Sequence, residues 1–262
     1  MLIATTNNRR TSYAGPVEEG SSTKSQLFKE RIVLAVAAPA ELRAVLEGLG
    51  APSIEIPLEW ESVQITEAFE VLRTGVGKAN ACGAAARLLD PQVHHLILCI
   101  GIAGSLPGPS PAALGAVVAA DAIVMADEGV QGPQGFQSLA SLGFPPLPGG
   151  DTLVPPEWVL RWLIRFGPRV GPIATVSTCS GTDAAARALA ERTGAVAEAM
   201  EGAGVALAAV HAGVAFGELR IISNSAGDRD RQEWRLKEAL HRLSEVVADM
   251  KSASAALSDL AR

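Results

Sequence analysis

Two glutamates, an arginine and an asparagine in this 262-residue chain sit where a sequence can do chemistry. Glu41 opens the first helix after the first apolar run, and Glu201 follows Met200 where a buried strand meets another helix. A carboxylate in such a setting can act as acid, base or hydroxyl acceptor. It can equally do no more than favour the positive end of a helix dipole. Arg220 and Asn224 fall where an apolar run ends and a polar turn begins. Polar residues just beyond the carboxyl ends of strands in an open α/β sheet are candidates for ligand contact, although turn-forming and capping roles account for them as well.

The elements that must position these groups alternate in type. Ile32 to Ala38 reads as a strand feeding a helix over Glu41 to Leu49. A short meander at Val63 to Ile65 and Val71 to Arg73 precedes a helix from Lys78 to Leu89 and a buried strand from His95 to Ile100. Ala116 to Met125, Ile173 to Ser177, Ala195 to Ala199 and Phe216 to Ile222 read as further strands. Helices are expected at Pro156 to Phe166, Asp183 to Arg192, Gly202 to Ala212 and Asp228 to Met250. This alternation predicts a single-domain three-layer α/β/α fold with a mixed, mainly parallel sheet over residues 30–262. Residues 1–29, rich in Ser, Thr, Asn and charge, read as a flexible tail without the apolar region of an export signal. The segment Glu128 to Gly150, full of Gly, Pro and Gln, reads as a functional lid or partner contact, or equally as a disordered excursion.

Composition narrows the function classes. Hydrophobic residues make up 48% but aromatics only 4%, which suits small-residue helices packed closely on a sheet. A net charge of −6 without a basic stripe argues against a nucleic-acid partner. No uninterrupted apolar run of roughly 18 residues marks a membrane span. Cys82, Cys99 and Cys179 are odd in number and far apart, which fits a reducing, cytoplasmic setting, and the four histidines lack ligand-like spacing for a metal. A small-molecule ligand is the expected partner. The glycines in Thr74-Gly75-Val76-Gly77-Lys78 and Gly101-Ile102-Ala103-Gly104 permit close backbone approach to it, but neither stretch has the spacing of a phosphate-cradling or dinucleotide loop.

Taken in order, Ala37 to Glu41, Thr74 to Lys78, Gly101 to Gly104, Val176 to Asp183, Met200-Glu201 and Arg220 to Asn224 resemble the purine nucleoside phosphorylase and nucleosidase superfamily. Within it the chain is similar to the methylthioadenosine/S-adenosylhomocysteine nucleosidases. It is more similar to the futalosine hydrolases of the alternative menaquinone pathway, to which VSTCSGTD (Val176 to Asp183) and NSAGDRDRQEW (Asn224 to Trp234) point. The resemblance implies hydrolysis of an N-glycosidic bond with release of hypoxanthine, no metal or organic cofactor, and a homo-oligomer. It implies Glu41 as the general base on water, with Arg220 and Ser223 positioning that water, and Glu201 and Met200 against the ribose. Gly77, Ile102, Ala103 and Gly104 become substrate-binding backbone, and Ser180, Gly181 and Thr182 a wall of the base pocket. Asn224 stands where the adenine-specific relatives carry aspartate. Its amide can give NH₂ to a 6-oxopurine O6 and accept from N7–H, so a 6-oxo base is expected. A phosphorylase is the competing enzyme, disfavoured because the loop Ala37 to Glu41 offers an anion and no cation. A non-catalytic nucleoside-binding module is the alternative from another class.

Overall fold

The computed structural model describes residues 31–148 and 150–254; the expected N-terminal tail lies outside them. The strands β1 (Arg31–Val36), β2 (Glu61–Gln64), β3 (Phe69–Arg73), β4 (His94–Ser105), β5 (Val117–Met125), β8 (Thr152–Leu153), β9 (Arg169–Thr175), β10 (Ala197–Ala199) and β11 (Ala215–Ser225) form one sheet. Its order is β10-β9-β5-β11-β4-β1-β3-β2, with β8 on β5. Strand β4 is parallel to β1 and β11, whereas β11 runs antiparallel to β5 and β2 antiparallel to β3. The sheet is therefore mixed, as expected. Strand β10 pairs with both β9 and β4, so β4, β10, β9, β5 and β11 close into a ring. A barrel-like closure of this kind has no periodic signature in the sequence.

Helices cover both faces. On one side α1 (Pro39–Gly48), α3 (Glu157–Leu163) and α6 (Leu236–Ala253) enclose a core of Leu34, Leu46, Leu98, Trp162, Leu219 and Val247. On the other, α2 (Lys78–Leu88) and α5 (Gly202–Ala212) pack Ala81, Ala85, Ala203 and Ala206 against Val33, Ile97 and Val118. The alanines have a physical reason. A Cβ on Gly204 would lie 2.5 Å from the Lys78 carbonyl, so α2 and α5 touch backbone to backbone and larger side chains would part them. The remaining helix, α4 (Asp183–Thr193), is capped by Thr182, whose hydroxyl accepts from the Ala185 amide at 3.1 Å.

Three expectations shift. The last helix begins at Leu236, not Asp228; residues 226–235 instead hold a 3-10 turn and an extended stretch that bridges back to Asn224. The first helix starts at Pro39, so Glu41 sits in its first turn, where it accepts from the Ala38 amide at 3.0 Å. The first part of the long Gly- and Pro-rich segment forms a hairpin of β6 (Gly129–Gly132) and β7 (Gly135–Ser138). Lys78 ties its base down through Asp127 and, at 3.2 Å, Glu128.

Candidate active site

A cavity of about 350 Å³ opens at the carboxyl ends of β1, β4 and β11, within the size range of small-molecule sites. Its wall carries three carboxylates, Glu41, Glu198 and Glu201, and no Lys, Arg or His among the described residues. Ile102, Ala103, Gly104, Met200, Ser223 and Asn224 complete the part that the sequence points to.

Glu41 is 5% exposed. One carboxylate oxygen accepts from the Ala38 amide and the other from the Ile102 amide at 2.8 Å. Burial pushes its pKa up from the ordinary value, and the nearby Arg220 charge and the two amides oppose that rise. Gly101 leaves room for it: a Cβ there would lie 2.4 Å from Glu41 Oε1 and 3.1 Å from Arg220 Nη1.

Arg220 lies under the cavity wall, 1% exposed, and four groups engage it. Its Nε donates to Glu218 Oε1 at 2.8 Å, and Nη2 donates to Glu201 Oε2 at 3.2 Å and to Cys99 Sγ at 3.0 Å. Nη1 reaches the Ile102 carbonyl at 3.4 Å. The arginine thus fixes Glu201, whose other oxygen accepts from the Gly77 amide at 3.1 Å. That bond is how Gly77, with φ at 94°, joins the site without lining the cavity. Glu218 is fully buried, and burial pushes its pKa up against the pull of Arg220. Its neighbour Gly202 is obligatory in this packing, because a Cβ would meet Glu218 Oε2 at 2.0 Å.

The pairing of β11 with β4 slips between Ile222 and Asn224. A bulge of this sort re-aims side chains, and here both Ser223 and Asn224 are buried on the cavity wall. The Ser223 hydroxyl lies 3.3 Å from the Ala103 carbonyl and 3.0 Å from Asn224 Oδ1, so it orients the asparagine. Asn224 Nδ2 donates to the Ser225 carbonyl at 3.1 Å, which fixes the sense of the amide.

The base-wall residues divide. Ser180 is buried and binds Glu198, with its amide 3.0 Å from Oε1 and its hydroxyl 2.7 Å from Oε2. Ser180, Gly181 and Thr182 line a neighbouring cleft that meets the cavity at Cys179. Gly181 and Thr182 are exposed, so the structure does not bring them to the cavity. Phe136 and Phe144 do not line it either: Phe136 sits under the Arg192 guanidinium at 4.2 Å, and Phe144 is 73% exposed.

Two segments are clamped together beside the cavity. The Asp183 amide donates to Asp228 Oδ1 at 2.8 Å and the Asp228 amide to Asp183 Oδ1 at 3.0 Å, with Arg231 bridging both carboxylates. Gln232 Nε2 donates to the Ser180 and Gly227 carbonyls. Together with the Arg235 amide on the Ser223 carbonyl at 2.8 Å, this folds Trp234 over the cavity. Sequence reasoning missed Glu198, Glu218 and Cys99. Glu198 stands inside an otherwise apolar strand and Glu218 two residues from Arg220 within a buried one, the one signal that marked them.

The family described as Phosphorylase superfamily matches residues 31–261. The chain is 42% identical over 230 residues to a futalosine hydrolase of Acidothermus cellulolyticus, covering 86% of this chain and 91% of that protein. It is 37% identical over 227 residues to a futalosine hydrolase of Streptomyces coelicolor, covering 84% and 94%. A solved structure of a futalosine hydrolase of Helicobacter pylori shares the fold, with a TM-score of 0.66 at 18% identity over 85% of this chain and 97% of that one. With this coverage and identity, the chain belongs to the Phosphorylase superfamily and, within it, to the futalosine hydrolase family.

Proposed function

We propose that this protein hydrolyses the N-glycosidic bond of futalosine, releasing hypoxanthine and dehypoxanthine futalosine in the alternative menaquinone route. The observation that carries hydrolysis over phosphorolysis is the cavity wall, which presents three carboxylates and, among the described residues, no cation. A phosphate nucleophile would meet like charge there, whereas water meets a base.

Water attacks the anomeric carbon as the bond to the purine nitrogen breaks. The bonding pair leaves with the base, and the ring passes through a cation-like state. Glu41 takes the proton that water loses; its amide partners hold it in place without using its full accepting capacity. Glu201, held by Arg220 and the Gly77 amide, accepts from the ribose hydroxyls, and Met200 packs against the sugar. Arg220 positions Glu201 and stays beneath the wall. Asn224 donates a hydrogen bond from its free Nδ2 hydrogen to O6; solvent protonates the leaving base at N7, Glu41 returns its proton to solvent, and Asn224 Oδ1 accepts from that N7–H. The apolar rim of Val76, Trp234, Leu236 and Leu240 suits the aromatic end of futalosine. Val76 and Trp234 are 53% and 47% exposed at this rim, which favours a homo-oligomer that covers them. The three free cysteines favour a cytoplasmic setting.

A purine-release assay over futalosine, inosine, aminodeoxyfutalosine and methylthioadenosine tests this reading. Futalosine should give the highest kcat/KM; preference for methylthioadenosine would overturn it.

A further inference from the structure

Glu198 is 4% exposed, lines the cavity and forms no ion pair among the described residues. A carboxylate buried this way needs more than the single serine that binds it in the free protein. Both Ser180 contacts are donors, so they hold Glu198 as an acceptor with lone pairs to spare.

Strand register says what it faces. Gly104 of β4 pairs with Glu198 of β10 on one side and with Asn224 of β11 on the other. Two strand spacings separate the flanking backbones by roughly 10 Å, and the residue between them has no side chain. A Cβ on Gly104 would lie 3.3 Å from Asn224 Nδ2 and 3.6 Å from Glu198 Oε1. Donor and acceptor therefore reach toward one point over a bare glycine floor.

We propose that Glu198 is a specificity-determining residue: across Gly104 from Asn224, it accepts N1–H of a 6-oxopurine while Asn224 Nδ2 donates to O6. The inference rests on the proposed release of a 6-oxopurine and adds the residue that reads its second edge. Around the ring N1–H, O6 and N7 follow one another, and the protein offers Glu198, Asn224 Nδ2 and Asn224 Oδ1 in the same sequence. Because the Ser225 carbonyl holds Nδ2 in place, the amide cannot turn over without setting two acceptors against each other. Adenine would place its N1 lone pair against the carboxylate and its amine against Nδ2, two mismatches at once. Burial pushes the Glu198 pKa up while the Ser180 hydroxyl and amide lower it, so the ring N–H joins donors that already favour the ionised form.

Free bases test this apart from the rest of the substrate. Hypoxanthine, 1-methylhypoxanthine and adenine are titrated calorimetrically into the wild-type protein and Glu198→Gln. In the wild type, hypoxanthine should bind roughly 10- to 100-fold more tightly than 1-methylhypoxanthine, which has no N1–H. Glu198→Gln should weaken hypoxanthine by a similar factor and leave adenine unchanged or tighter, since an amide can donate to its N1. Equal binding of hypoxanthine and 1-methylhypoxanthine by the wild type would overturn the proposal even if the variant did not fold. So would a variant whose hypoxanthine-to-adenine ratio is unchanged, which is what a purely structural bond to Ser180 predicts. If the protein acts on a 6-oxopurine nucleoside other than futalosine, the substrate panel fails while these titrations still discriminate.

Discussion

Gly101→Ala adds one methyl group and aims it at the base. The new carbon would stand 2.4 Å from Glu41 Oε1, and real Cβ atoms essentially never approach closer than 3.0 Å, so the carboxylate must withdraw by more than half an ångström. That oxygen is the one bonded to the Ile102 amide at 2.8 Å, and retreat breaks the bond. Arg220 Nη1, at 3.1 Å from the same carbon, blocks one direction of escape. Gly101 is not among the glycines with positive φ, so alanine brings no backbone strain and the effect isolates the contact. Displacing a catalytic group by about an ångström costs roughly 100-fold in rate, and that loss is expected in kcat for futalosine with KM changed little. Initial rates by coupled detection of hypoxanthine, with a thermal melt on the same sample, make the measurement. A Gly101→Ala enzyme of near-wild-type kcat would refute the placement of Glu41 as the base.

Glu41→Gln should abolish turnover while retaining ligand binding, because the amide keeps the shape but cannot take a proton; residual activity near the wild-type rate would contradict this. Since burial raises the Glu41 pKa above 4.5 and the base works ionised, kcat/KM should fall as pH drops through a value above the ordinary carboxylate range. Asn224→Asp should lower kcat/KM for futalosine by roughly 10- to 100-fold and narrow its advantage over aminodeoxyfutalosine, measured side by side. Away from the site, His94, then Ser62 and Arg31, hold Glu70 at about 2 against an ordinary 4.5. A depressed acid stabilises the fold above its unfolded value and loses that contribution as pH falls toward the folded one. The Tm gap between wild type and Glu70→Gln should accordingly be full above about pH 4.5 and shrink toward pH 2; a constant gap would contradict it.

Local chemistry made much of the site legible. Glu41 and Glu201 could be singled out because each follows an apolar run at a helix start, and Arg220 and Asn224 because a strand ends there. Helix α5 kept its expected bounds, since Gly213 ends it in the left-handed conformation that glycine favours. The segment after Gly227 misled for a physical reason. Its charges look like a helix start, but Asp228, Arg231 and Gln232 are tied to Asp183 and to the Ser180 carbonyl, and those tertiary bonds hold it out of helix. The role of Glu198, beyond its odd place in an apolar run, was not legible for a similar cause. Its significance comes from lying beside Gly104, 94 residues away, through the antiparallel pairing of β10 with β4, and no local pattern encodes that closure. The base wall was misplaced for the same reason: Ser180, Gly181 and Thr182 line a neighbouring cleft, and only Ser180, through Glu198, touches the cavity wall.

Product analysis of futalosine turnover with and without inorganic phosphate tests hydrolysis most directly. A cavity wall of three carboxylates, with no cation among the described residues, predicts hypoxanthine and dehypoxanthine futalosine in equal amounts, at a rate that phosphate does not change. A phosphate-dependent rate, with a sugar 1-phosphate as the product, would contradict it.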